Sequence, residues 1–428
     1  MTACSDTPES PLTRSVVALL GDFIFFSVGF AFYDPLVVVP AFVNEFTGSQ
    51  LLIGGLAALR VLMITLPQVW AASVLEARPR MKPLLVWSSL GGRLPILFLA
   101  LAVWLWGPSQ IWLVIGILAL SVAAFFTSEG LNSVSWPALV GKVVPEHFRG
   151  RFFGIGQFLS AGGSAGAGYL VNVILDHQGW TRSTRWAVLF LGAFLGLMTS
   201  VGSMLLIREK RGARNADKPD LRRSLGKMWA FLREDRWLRR MIVVQLILYT
   251  ASAPFTFFVV RARQILPNAD ALLGTFVILQ SVGSAASALV SGILIDRVGS
   301  WVAIRGAAVM EVLALAAVTV GGLLPIPLPF YAVAFLLVGY VNGTLWWSFS
   351  TYLLDIASAA RRPLYLAASG ILIGVTILNP VVVGALFSAV RPELLFASAG
   401  VLAVAGLALA WTLRQGIAAR KHGGHVAQ

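Results

Sequence analysis

The chain has 428 residues, 57% hydrophobic and only 12% charged, with a net charge of +14. Soluble domains carry about 25% charged residues, so this composition excludes an ordinary water-facing surface, and the mean hydropathy of +0.81 fits a lipid-facing one. The single cysteine, Cys4, excludes an intrachain disulfide.

Residues 1–14 hold acids and prolines and lack the basic start of a signal peptide, so they are expected to form a cytoplasmic leader. A membrane span needs about 20 apolar residues. Six such runs follow, at 16–39, 51–72, 84–106, 111–138, 152–175 and 186–207. They must be helices, because every backbone polar group in lipid needs an internal partner. The first carries Asp22 and Asp34. At 1.5 Å per residue from the inner end, Asp22 lies about 9 Å in and Asp34 about 27 Å. Asp34-Pro35 therefore predicts an acid near the outer surface, at a kink or helix end. Arg60 and Arg93 fall inside spans two and three. Span four ends in TSEGLNSVSWP, residues 127–137, a polar stretch with Glu129 and Asn132 before a helix-breaking proline.

A long polar stretch, 208–240, divides the chain. Its end, KMWAFLREDRWLRR, reads as an amphipathic helix on the inner leaflet or as a solvated linker helix. Six further runs lie at 241–261, 271–295, 305–324, 329–353, 364–388 and 394–413. The resulting organisation is a leader (1–14), a six-helix bundle (15–207), a basic cytoplasmic loop (208–240), a second six-helix bundle (241–414) and a cytoplasmic tail (415–428). The fold class is an all-α membrane protein of twelve transmembrane helices in two pseudo-symmetric bundles.

Lysine and arginine set the orientation. Most fall on the side of the N-terminus, including Arg14, Arg78, Arg80, Lys82, Lys142 and the whole central loop. The other side holds Arg182, Arg185, Arg261, Arg263 and Arg391. Both termini are therefore expected in the cytoplasm. Basic loops facing anionic lipid explain the high net charge without nucleic acid.

Two loop signatures repeat. AASVLEARPRMKP (71–83), with Glu76, is matched by SGILIDRVGSWVAIR (291–305), with Asp296 and Arg297. PEHFRGRFFG (145–154), with Arg149 and Arg151, is matched by SAARRPLYLA (358–367), with Arg361 and Arg362. Each pair is separated by about half the chain, as in transporters built from duplicated halves.

With its twelve spans, basic central loop and G-x-x-x-D-R-x-G after span eight, the chain resembles the major facilitator superfamily. The first-half copy of the motif is degenerate, with Glu76 for the aspartate and Pro79 for the glycine. Signatures of the drug/proton antiporters and sugar porters are missing, so the subfamily stays open. The resemblance implies a transporter that rocks two halves about a central path lined by spans one, four, seven and ten. Asp22 and Glu129 become candidates for proton coupling or substrate contact; for Asp22 a static ion pair with Arg60 or Arg93 is the alternative. Asn132, Asn342, Trp346, Trp347 and Tyr352 become candidates for substrate contact. The resemblance also implies inner-gate ion pairs: Asp296, followed by Arg297, with Arg361 or Arg362, and Glu76 with Arg149 or Arg151.

An ATP-driven pump would need a phosphate-binding G-x-x-x-x-G-K-[ST] loop, and none occurs. No cluster of carboxylates or histidines with a nucleophile suggests an enzyme. The reading is a secondary active transporter for a small solute, proton-coupled and monomeric, without cofactor, in a bacterial-type cytoplasmic membrane; the sequence does not exclude an internal organelle membrane. A metal-cation transporter, for example for iron, is the alternative, with Asp22, Asp34, Glu129 and Asn132 as oxygen ligands. A non-transporting scaffold on the same fold is another.

Overall fold

The computed structural model describes residues 11–75, 80–145, 149–209, 232–357 and 362–415. The first half contains α1 (Pro11–Ala31), α2 (Val38–Thr47), α3 (Gln50–Leu75), α4 (Lys82–Leu105), α5 (Ile111–Val143), α6 (Arg149–Asp176) and α7 (Arg182–Leu206). The second contains α8 (Arg236–Ala251), α9 (Phe255–Ile265), α10 (Leu273–Val298), α11 (Ser300–Leu323), α12 (Leu328–Ile356), α13 (Arg362–Ile373), α14 (Asn379–Ala389) and α15 (Pro392–Ala410). Together they make twelve crossings long and apolar enough for a membrane. An even number of crossings returns the chain to its starting side. That side is the terminal face below, and the opposite side is the distal face.

The first crossing differs from the expected single run. α1 stops at Ala31, and the chain turns through Asp34-Pro35 before α2 begins. Proline has no N–H to continue a helix. The Asp34 carboxylate supplies a substitute cap, accepting hydrogen bonds from the backbone N–H of Leu36 (2.9 Å) and Val37 (2.8 Å). Ten more helical residues follow, buried from Val38 to Val43, before Gly48 turns the chain at φ 64°. Asp34 is therefore at a buried break well inside the fold, not near the outer surface. The apolar run VVVPAFV carries the crossing further than the hydropathy window suggested.

The seventh crossing is broken in the same way. α8 ends at Ala251, and α9 restarts after Pro254. α8 also begins at Arg236, earlier than the apolar run. Asp235 explains the early start: its side chain accepts from the N–H of Trp237 (2.9 Å) and Leu238 (3.3 Å). Residues 227–231 of the stretch read as an interfacial helix lie outside the described residues; its last five residues, Arg236–Arg240, begin α8.

Within each half, α4 packs on α5 and α7, as α11 packs on α12 and α15. Between halves, α6 lies along α10 and α3 along α14. The first contact needs glycine on both sides, since a Cβ on Gly274 would collide with the Gly168 carbonyl. Asn172 fixes it by accepting from the N–H of Gly274 (2.6 Å) and donating to the Thr275 hydroxyl (2.9 Å). Across the second contact, Gly54 abuts the Pro380 carbonyl and Gly384 abuts that of Gln50. All these contacts lie towards the distal ends of the helices.

At the terminal face, Glu209 ties the first half together. Its carboxylate accepts from the N–H groups of Met81 (2.8 Å) and Lys82 (2.8 Å), the start of α4, and pairs with Lys142 of α5 at 2.8 Å. Lys82 in turn donates to the Ile207 carbonyl at 2.6 Å. Burial opposes the charge on Glu209, but Lys142 and the two backbone N–H groups outweigh it and hold the carboxyl below its usual value near 4.5. A depressed carboxyl adds stability above its ordinary pKa and loses it as pH falls through the lowered value. Melting of the wild type should therefore fall more steeply below about pH 4.5 than melting of Glu209→Gln, which should already be lower at neutral pH. Parallel curves for the two proteins would refute this.

Candidate functional site

A cavity of about 460 Å³ opens among α1, α3, α4 and α5 of the first half. α5 runs from the distal to the terminal face, so Glu129, Asn132 and Trp136 place the cavity in its terminal half. Asp22 and Phe26 come from α1, Gln68 from α3 and Arg93 from α4.

Three charges meet here. Arg93 is fully buried, and its Nη1 donates to the Leu197 carbonyl (2.7 Å) and to the Ser200 hydroxyl (3.2 Å), both on α7. The Ser200 hydroxyl in turn donates a hydrogen bond to Asp22 Oδ1, and the Trp136 indole N–H donates to Asp22 Oδ2 at 2.7 Å. Arg93 Nη2 faces Glu129 Oε1 at 3.9 Å, a looser pairing. Asn132 donates to Glu129 (3.3 Å) and to Ser89 (3.0 Å), and accepts from Ser88 (2.8 Å). Two carboxyl groups thus share one guanidinium. If both were ionised the cluster would carry one surplus negative charge in a largely apolar surround, an expensive arrangement. It is relieved by one proton or by a cationic group entering the cavity.

A model of the family described as Major Facilitator Superfamily matches residues 21–370. The chain belongs to this superfamily. No curated protein matches its sequence. Among solved structures it is similar to a POT family transporter in complex with a thioalcohol-conjugated peptide. The identity is 9% and the TM-score 0.72, with 94% of this chain and 96% of that one covered. It is also similar to the nucleoside transporter NupG, at 15% identity and TM-score 0.63 over 93% and 98% of the two chains. A bacterial homologue of the iron transporter ferroportin in its inward-facing state gives 14% identity and TM-score 0.65 over 94% and 97%. At these identities the likeness concerns the fold alone.

In this superfamily member the structure brings together Asp22, Glu129 and Asn132 from the predicted residues. Asn342 is exposed, on the α12 face that also bears Phe335 and Phe349 at helical spacing. Those rings pack towards Phe258 and Tyr249, so this face of α12 is turned towards the seventh crossing. Tyr352 goes elsewhere: it is buried, and its hydroxyl donates to the Leu413 carbonyl at 3.0 Å. That contact ties α12 to the end of the twelfth crossing rather than facing the path. Trp346 and Trp347 lie on α12, and their side chains are outside the described residues. The four oxygen ligands suggested for a metal do not converge, since Asp34 caps α2 away from the cavity. Among the described residues no three His, Cys, Asp or Glu side chains cluster.

The inner-gate residues are only partly described. Asp296 is exposed and has no ion pair among the described residues, and Arg297 is also exposed. Glu76 and Arg361 lie outside the described residues, as do the side chains of Arg149, Arg151 and Arg362. An ion-pair network that sequence reasoning missed stands at the distal face. Glu45 pairs with Arg182 (2.9 Å) and Arg263 (3.0 Å) and accepts from the Trp186 indole (3.0 Å). Arg263 also pairs with Asp270 at 2.7 Å and donates to the Ala41 carbonyl. Glu45 belongs to the first half and Arg263 to the second, so the network bridges them. Trp136 lay within the polar stretch already singled out, one turn beyond Asn132. Ser200, in a run of ordinary apolar residues, carried no signal.

Proposed function

We propose that the protein is a secondary active transporter that moves a small solute by alternating access, driven by a proton gradient. The observation that carries this reading is the pair of carboxyl groups sharing Arg93 at the wall of an open cavity. One proton neutralises the cluster and the loss of that proton charges it, so occupancy alters its electrostatics. The excess of Lys and Arg on the terminal side supports a cytoplasmic terminal face, and the reading takes the membrane to be a bacterial-type inner one. The distal closure by α6–α10, α3–α14 and the Glu45 network then corresponds to an inward-open state.

Purified protein in proteoliposomes, given a panel of neutral and charged solutes and a trapped pH-sensitive dye, tests the reading. A transported solute should acidify the lumen or draw protons from it. Asp22→Asn or Glu129→Gln should abolish uphill accumulation while sparing exchange of solute across the bilayer. Normal accumulation by both variants would place the coupling elsewhere.

A further inference from the structure

The third and sixth crossings of the second half, α11 and α15, meet at the terminal face in a basic, aromatic corner. Arg305 sits in the second turn of α11 and reaches across to the end of α15. Its Nε donates to the Ala410 carbonyl (3.3 Å) and its Nη2 to the Trp411 carbonyl (2.7 Å). Carbonyls at a helix C-terminus favour a cation. The guanidinium carbon lies 4.1 Å from the centre of the Trp301 ring and 4.3 Å from that of Trp411, so two indoles hold it in place. Arg414, one turn past the end of α15, lies over the same Trp301 ring at 5.5 Å. The chain beside it is anchored by Tyr352 of α12, whose hydroxyl donates to the Leu413 carbonyl.

Two guanidinium groups therefore share one indole. Among the described residues neither forms an ion pair, and Arg414 and Nη1 of Arg305 make no hydrogen bond. Asp355, on the adjoining α12, accepts from Ser300. Residues 415–428 contain Arg420 and Lys421 and no Asp or Glu. Like charges brought together in this way repel, and an anion with several acceptor oxygens relieves them.

The surface leading from this corner towards the middle of the membrane is apolar. On α11, Val309 and Leu313 follow Arg305 at helical spacing and are exposed. On α15, Val404 and Val401 lie about two and three turns before Trp411 and are exposed as well. Trp411 itself is 64% exposed, in the place tryptophan takes at a membrane–water interface. A ligand with one anionic end and a long apolar end matches both parts.

We infer that this corner binds an anionic phospholipid, its phosphate held between Arg305 and Arg414 and its chains laid along the exposed stripes of α11 and α15. A planar guanidinium stacks on an indole and still offers N–H groups to phosphate, which the ammonium of lysine does not do. A zwitterionic lipid carries its own cation beside the phosphate and gains less from the two arginines. The site lies in the second half, apart from the first-half cavity, and does not rest on the coupling reading.

Native mass spectrometry of the full-length protein in detergent, titrated with phosphatidylglycerol or phosphatidylcholine, provides the test. The wild type should bind one phosphatidylglycerol more tightly than any phosphatidylcholine. Arg305→Gln/Arg414→Gln should weaken that binding roughly 30-fold, from a factor of about five for each arginine. Should the double variant fail to fold, because Arg305 also holds the end of α15, Arg414→Gln alone breaks no hydrogen bond and should weaken binding about five-fold. Arg208→Gln removes an exposed charge from the same face and should leave the binding unchanged. Equal affinity for the two lipids, or equal losses in Arg208→Gln and Arg414→Gln, would mean a general attraction to a basic surface and overturn the inference. Displacement of the phosphatidylglycerol by inorganic phosphate would mean a site for free anions and overturn it too.

Discussion

Replacing Arg93 with methionine is expected to destabilise the protein by about 3–5 kcal/mol, the usual cost of removing one partner from a buried charge cluster. Methionine fills much of the volume, so the loss is electrostatic rather than a cavity effect. Asp22 and Glu129 would face each other without a cation, and Asp22 would lose the arginine behind its Ser200 bond. The same change made together with Asp22→Asn and Glu129→Gln should recover most of the stability, because no uncompensated charge is left behind. Unfolding in detergent followed by intrinsic tryptophan fluorescence would measure both. Equal losses in the single and triple variants would show that the three groups are not electrostatic partners.

Glu45→Gln is expected to shift the resting population towards opening at the distal face. The Glu45 and Arg263 side chains are 12% and 11% exposed, so their pair is largely shielded from solvent. Arg182 is 61% exposed and adds little. A shielded, charge-assisted contact contributes about 1–3 kcal/mol, which corresponds to a change of roughly 5–150-fold between two states. Asp296→Asn should act with the opposite sign, weakening closure of the terminal face in the outward-open state. Cysteine pairs across the distal ends of α2 and α9, in a Cys4→Ser background, would report both changes by cross-linking efficiency. Cross-linking that is indifferent to Glu45→Gln would leave the distal network without a role in gating.

Hydropathy revealed all twelve crossings, because lipid imposes one requirement on every span and that requirement is compositional. It misplaced Asp34 because a window averages over a break, and only the side-chain cap on Leu36 and Val37 shows that the crossing continues into α2. Asp22, Glu129 and Asn132 were readable since polar groups in apolar runs are costly and need a reason. Their partners were less readable. Arg93 was an obvious candidate, but Ser200 is an ordinary serine until packing of α7 on α4 brings it between an arginine and an acid. Tyr352 was misleading: polar and aromatic in a path-lining span, it turned out to anchor α12 through Leu413. The Glu45 network joins residues from α2, α7, α9 and the turn before α10, and no local pattern announces a contact of that kind.

The anchoring of Arg93 has an electrical consequence. Its guanidinium is pinned to the Leu197 carbonyl as well as to Ser200, so this positive charge stays with the first half as that half rocks. With one proton on the two acids, the proposed carrier reorients with a neutral core; without it, the core carries one negative charge through the membrane field. A neutral solute moving with one proton would then produce a net current. The membrane potential would act on the empty return step, by up to about 2.3 kcal/mol per 100 mV for a full unit charge crossing the field. Solid-supported membrane recordings should show transient currents whose size depends on voltage and on pH, and the pH dependence should vanish in the Asp22→Asn/Glu129→Gln protein, whose core keeps the Arg93 charge in every state.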